Sequence, residues 1–117
     1  WRHKEKTMSA GTYNITIDQG SDFSLQLTIQ EGGSAKNLTG FSVRGQLRPT
    51  IDSSTLTASF TGTVTNASSG ICTISLPYTT TDDISAGSYQ YDVELYTAST
   101  VQRLIQGTAT VKGEVTR

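Results

Sequence analysis

The sequence predicts an all-β domain, a small sandwich of seven or eight antiparallel strands, on three observations. Apolar and polar residues alternate over short runs along most of the chain. The runs are separated by turns rich in Gly, Ser, Asn and Pro, with one helical turn at most between them. Ser and Thr supply 34 of the 117 residues, and β-branched threonine suits the wet face of a strand. Strands at this spacing without intervening helices pack as a sandwich or barrel.

The length fits one domain, placed at residues 11–117 behind an N-terminal arm, residues 1–10. The arm shows no strand alternation. Met8-Ser9 would make an ordinary translation start, so Trp1–Thr7 is either upstream sequence or a genuine arm.

Tyr13, Ile15 and Ile17 alternate with polar residues, Gln19-Gly20-Ser21-Asp22 interrupts, and Phe23, Leu25, Leu27 and Ile29 alternate again. Two strands, or one strand kinked at glycine, fit equally well, and such a break lets the chain switch sheets. Glu31-Gly32-Gly33-Ser34 reads as a hairpin turn, and Asn37-Leu38-Thr39-Gly40 as a bend that tucks Leu38 inward. Phe41, Val43, Gly45 and Leu47 form the next inward row, with Arg44, Gln46 and Arg48 outward. Pro49 ends it, because proline cannot donate to a central ladder. Leu56, Ala58, Phe60, Gly62 and Val64 alternate up to the loop Asn66–Gly70, and Cys72, Ile74 and Leu76 return.

After Pro77, residues 79–84 allow one helical turn, and Tyr89, Tyr91, Val93 and Leu95 then alternate behind Gly87. Gly-x-Tyr at such a corner is similar to the tyrosine corner of immunoglobulin-like sandwiches, whose phenol bonds upstream backbone. Tyr89 is therefore the expected corner residue, its hydroxyl bonded near Asp82 or Asp83, with an aspartate capping the helical turn. Thr97–Thr100 turns the chain into Val101–Gln106, and Gly107 is the expected kink before Ala109, Val111 and Val115. The expected core is Ile15, Ile17, Phe23, Leu25, Leu27, Phe41, Val43, Leu47, Phe60, Ile74, Leu76, Tyr91, Val93 and Leu95.

Nine Lys and Arg against ten Asp and Glu give a net charge of −1, which points to neither nucleic acid nor an anionic membrane. The charge is divided, +2 over residues 1–7 and −3 over the remainder. The single cysteine, Cys72, excludes an intrachain disulfide and suits folding in a reducing cytoplasm; its place in an alternating row makes it a small buried hydrophobe. No apolar run reaches the length of a membrane span or a signal-peptide core. Asn14, Asn37 and Asn66 begin glycosylation sequons of a kind that so much Ser and Thr produces by chance.

The only histidine, His3, rules out a His-based triad or multi-histidine metal site. Asp82-Asp83 is too sparse in oxygen ligands for a calcium loop. Asp92 and Glu94 belong on an outward strand face, opposite cations such as Arg103. No phosphate-binding glycine loop is present. No enzyme activity, cofactor or metal is expected. A carbohydrate-binding module would need an exposed row of aromatics, for which Tyr13, Tyr78 and Tyr96 are the candidates.

Four stretches carry a family resemblance: Tyr13–Phe23 (YNITIDQGSDF), Leu38–Arg48 (LTGFSVRGQLR), Ala86–Leu95 (AGSYQYDVEL) and Gly107–Val111 (GTATV). In order and spacing the chain resembles small immunoglobulin-like structural proteins of tailed bacteriophages, and is similar to the N-terminal sandwich of phage baseplate upper proteins. Baseplate upper proteins continue into a long receptor-binding part, whereas this sequence stops at Arg117 after one sandwich.

The resemblance implies a non-enzymatic virion protein of tail, baseplate or neck, folded in the host cytoplasm and present in several symmetric copies against other virion proteins. A capsid cement or decoration protein is the related alternative. Trp1, Arg2, Lys4 and Lys6 are the expected assembly contact, because tryptophan and arginine dominate interface energetics when they fill a pocket.

Overall fold

The computed structural model describes the backbone of residues 4–8 and residues 11–113. The fold is all-β apart from one helical turn. Its strands are β1 (Lys4–Met8), β2 (Gly11–Thr12), β3 (Ile15–Asp18), β4 (Phe23–Glu31), β5 (Ser34–Ala35), β6 (Ser42–Arg48), β7 (Ala58–Asn66), β8 (Ile71–Leu76), β9 (Gly87–Tyr96) and β10 (Val101–Lys112), with α1 (Tyr78–Thr81) between β8 and β9. The described residues thus hold ten strands rather than seven or eight, two of them only two residues long.

The ladders run β1-β4-β8-β7-β6-β9-β10-β2, with β3 also on β10 and β5 on β4, so the structure is one curled sheet. The curl is made by β7. Its first three residues pair with β6 (Leu47↔Ala58, Gly45↔Phe60), and the rest pair with β8 from Thr61↔Ser75 onward. A strand that changes partner in mid-course is how a sheet turns a corner. Two glycines let the backbones close there. A Cβ on Gly62 would lie 2.1 Å from the Val43 carbonyl oxygen, and one on Gly45 2.8 Å from that of Asp92.

The expected break at Gln19–Asp22 does move the chain from one side of the curl to the other. β3 pairs with β10, whereas β4 pairs with β8. Gly20 makes the bend at φ 79°, a left-handed conformation that glycine adopts without a side-chain penalty. The early strands depart from the antiparallel expectation: β1 runs parallel to β4, and β2 and β3 run parallel to β10. Residues 4–8 of the segment expected as an N-terminal arm outside the sandwich thus pair with the outer edge of β4.

The inner face of the curl is the core. All the expected core residues are buried except Phe41, which is half-exposed with the Lys36 ammonium 5.3 Å from its ring centre. Phe60 sits between Phe23 and Tyr91, at ring separations of 6.0 and 6.2 Å. Cys72 is fully buried, as its row required. Ile29, Leu38, Ile84, Leu104, Ile105, Ala109 and Val111 complete the core.

Two expectations change register. Leu56 is 45% exposed, because the strand begins only at Ala58, after a loop in which Arg48 donates to the Ser53 carbonyl at 3.2 Å. In β10 the irregularity is at Leu104 rather than Gly107. Arg103 faces Glu94 and Ile105 faces Val93, so Leu104 is the extra residue of a bulge and both Leu104 and Ile105 turn inward. Gly107 instead admits a neighbour, since a Cβ there would lie 2.4 Å from the Tyr13 carbonyl oxygen. Val115 lies outside the described residues. The sequon asparagines serve the backbone: Asn37 Oδ1 accepts from the Thr39 amide at 2.9 Å, Asn66 Oδ1 from Ser69 at 3.3 Å, and Asn14 Oδ1 from Thr108 at 3.0 Å.

Candidate protein interface

The outward face of β6, β9 and β10 carries a group of interacting polar side chains. Residues 44, 46 and 48 of β6 alternate outward, as do 90, 92 and 94 of β9, and the ladders align them into cross-strand rows. Arg48, Gln90 and Thr108 form one row; Gln46, Asp92 and Gln106 the next; Arg44, Glu94 and Arg103 the third; Ser42, Tyr96 and Val101 the last.

The charges on this face are arranged around β9. Arg44 Nε donates to Glu94 at 2.9 Å and its guanidinium lies 4.4 Å from the Tyr96 ring centre. Arg103 Nε is 3.6 Å from Asp92, the cross-strand partnering expected for these carboxylates. Partial burial, with Glu94 beside it, holds the Asp92 carboxyl above the usual carboxylate range, while Arg103, Arg48 and Arg44 pull the other way. Arg48 also donates to Gln46 Oε1 at 2.9 Å, and Gln90 Nε2 donates to Thr108 at 3.3 Å.

The upper rows floor a concavity of about 360 Å³, walled by Thr12 and Asn14 on one side and by Ile51 of the β6–β7 loop on the other. Ile51 is 76% exposed, an apolar side chain standing at the rim of a polar floor. Arginines, amides and a carboxylate held in rows offer directional hydrogen bonds to a polar partner surface, the chemistry of a wet protein–protein contact.

Tyr89 supplies the corner: its hydroxyl donates to the Ser85 carbonyl at 2.6 Å, on the backbone just past Asp83. The one-turn helix places Ser85 below the phenol and leaves both aspartates exposed on its far end, where Asp82 is the C-cap. Neither of them caps the start of the helix. The Tyr78 amide donates instead to Asp22 Oδ1 at 2.7 Å, across 56 positions of sequence. Thr81 Oγ1 donates to Ser21 O at 2.8 Å and Gln19 Nε2 to Ile84 O at 2.9 Å, so the corner is fastened to the segment that switches sides. Polar residues flanking a glycine gave no signal of this clamp, because its partners lie in another turn.

Of the expected assembly contact, Trp1 and Arg2 lie outside the described residues, and Lys4 and Lys6 are placed by their backbone in β1. The three tyrosines considered for a sugar platform are apart. Tyr13 packs against the core, Tyr78 stands on α1 before the start of β9, and Tyr96 ends β9 under Arg44. Among the described residues no three His, Cys, Asp or Glu side chains gather as metal ligands, and no helix is long and apolar enough to cross a membrane.

No protein-family model matches the sequence, and no curated protein matches it. Solved structures do match. The cysteine protease inhibitor EhICP2 from Entamoeba histolytica aligns at TM-score 0.45 and 14% identity, over 94% of this chain and 96% of the inhibitor. The N-terminal domain of ORF48 of phage TP901-1 aligns at TM-score 0.59 and 10% identity, over 93% of this chain and 98% of that one. The chain thus has, nearly end to end, the fold of a domain from a bacteriophage protein.

Proposed function

We propose that the chain is a non-enzymatic, immunoglobulin-like structural module of a tailed-phage virion, of the tail, baseplate or neck, working through contacts with other virion proteins in several symmetric copies. The observation that carries this reading is the alignment with the phage ORF48 domain, which spans almost all of both chains. Two features of the molecule support it. The outward rows of β6, β9 and β10 present paired, directional polar groups suited to a fixed protein neighbour. The one thiol is buried, and burial pushes its pKa up to about 11, which suits packing and not nucleophilic chemistry.

Mass spectrometry and cryo-EM reconstruction of gradient-purified particles of the encoding phage test the proposal. The expected result is the chain at fixed stoichiometry, with its density on the tail, baseplate or neck. Density on the capsid shell would replace this reading with that of a cement protein, and absence from purified particles would end it.

A further inference from the structure

We infer that β1 is an exchangeable strand, closing the β4 edge of its own domain in an isolated chain and that of a second copy of the chain when copies meet. Whether copies exchange this strand does not depend on where in a particle the chain sits.

The topology carries the argument. Residues 4–8 pair in unbroken parallel register with residues 25–29, from Lys4↔Leu25 to Met8↔Ile29. Among the described residues β1 is the end of the ladder path, joined to β4 alone, so its removal opens one ladder and disturbs no other. It would, however, leave the outer edge of β4 with a row of unpaired amides and carbonyls, a ready template for another strand.

The strand that fits that template in a neighbouring copy is the neighbour's own residues 4–8. Exchange restores every hydrogen bond of the ladder and changes only which chain supplies the strand, which is why swapping an identical element is a low-cost route to association. Two further facts bear on the exchange. Residues 1–7 carry +2 and the rest of the chain −3, so the segment is as complementary in charge to a second copy's body as to its own. Only Ser9 and Ala10 separate β1, which belongs to the β4 side of the curl, from β2, which pairs with β10 on the other side.

The register supplies a direct test. Two full-length single variants, Glu5→Cys and Gln26→Cys, occupy facing positions on β1 and β4. They are mixed at high concentration, taken briefly through mild denaturant and back, oxidised, and resolved on non-reducing gels with mass spectrometry of the bridged peptides. Exchange gives the mixed 5–26 disulfide dimer in at least tenfold excess over the 5–5 and 26–26 dimers. The pair Thr7→Cys and Thr28→Cys repeats the test two residues along the same ladder, should either first variant fold poorly. The double variant Glu5→Cys/Gln26→Cys, oxidised when dilute, is expected to close within one chain and run as a monomer. Mixed dimers no more abundant than the like-with-like dimers, at both pairs of positions, would overturn the inference.

Discussion

Substituting Gly62 by alanine probes the curl at the point where it is made. The new Cβ would lie 2.1 Å from the Val43 carbonyl oxygen and 2.7 Å from its carbon, where ordinary contact begins near 3.4 Å. Both atoms are backbone of β6, so no side chain can rotate out of the way. β6 and β7 must separate by about 1.3 Å, and the ladder they share, three residue pairs ending at Gly45↔Phe60, is the first thing to yield. One or two backbone hydrogen bonds at about 0.5–1.5 kcal/mol each, added to about 1–3 kcal/mol for overpacking, put the cost at about 1.5–6 kcal/mol. That is a large part of the roughly 5–15 kcal/mol that holds a domain folded.

Urea unfolding followed by far-ultraviolet circular dichroism measures this loss, with Gly113→Ala as the matched control. At Gly113 the nearest atom to an added Cβ is the Ala86 Cβ at 3.9 Å, so that variant is expected within about 0.5 kcal/mol of the parent. A Gly62→Ala protein unfolding at the parental midpoint would mean that β7 does not press on β6 there, and the corner would have to be drawn elsewhere.

Tyr89→Phe removes the bond to the Ser85 carbonyl and nothing else; because that bond is solvent-accessible, the same urea titration is expected to show a loss of about 0.5–1 kcal/mol. A loss well above 2 kcal/mol would point to a buried partner and a different corner geometry. Cys72 is expected to resist a thiol reagent such as DTNB at pH 8 until the protein unfolds, and labelling at the rate of a free cysteine would contradict its burial. Its pKa rises from about 9.0 unfolded to about 11 folded, so the stability it contributes is complete below pH 9 and is lost as pH climbs towards 11. The loss is about 2–3 kcal/mol. Cys72→Ala should remove that part of the alkaline decline and leave the part due to Tyr91, whose pKa burial also raises.

The alternation of apolar residues made β3, β4, β6, β8 and β9 readable, because each has one face against the core and must repeat with period two. Where a strand lacks that constraint the pattern fails for a stated reason. Lys4–Met8 takes its place through backbone hydrogen bonds to β4, and those bonds write no alternation into the side chains. At Leu104 the bulge breaks the period itself, so consecutive apolar residues both point inward and the glycine three positions later drew attention wrongly. Phe41 shows the opposite error. It continues the inward row of β6 by sequence, but lies just before the strand begins, under Lys36 at the margin of the core.

The candidate interface was legible only as single residues. Arg44, Arg48, Arg103, Asp92 and Glu94 were recognisable as outward positions of strands, yet nothing in their spacing says that Gln46, Asp92 and Gln106 share a row, since the residues are dozens of positions apart and only strand pairing aligns them. A surface of this kind has no sequence signature of its own, because outward strand residues in any β domain are drawn from the same Thr, Gln, Arg and Glu. What distinguishes it is the order of pairing. β9 lies between β6 and β10 and places two carboxylates in the middle of three arginines. Had β6 and β10 been neighbours with β9 outside them, the same residues would have put like charges side by side, at a cost to the sheet. The order of the strands thus sets which charges on this face are neighbours.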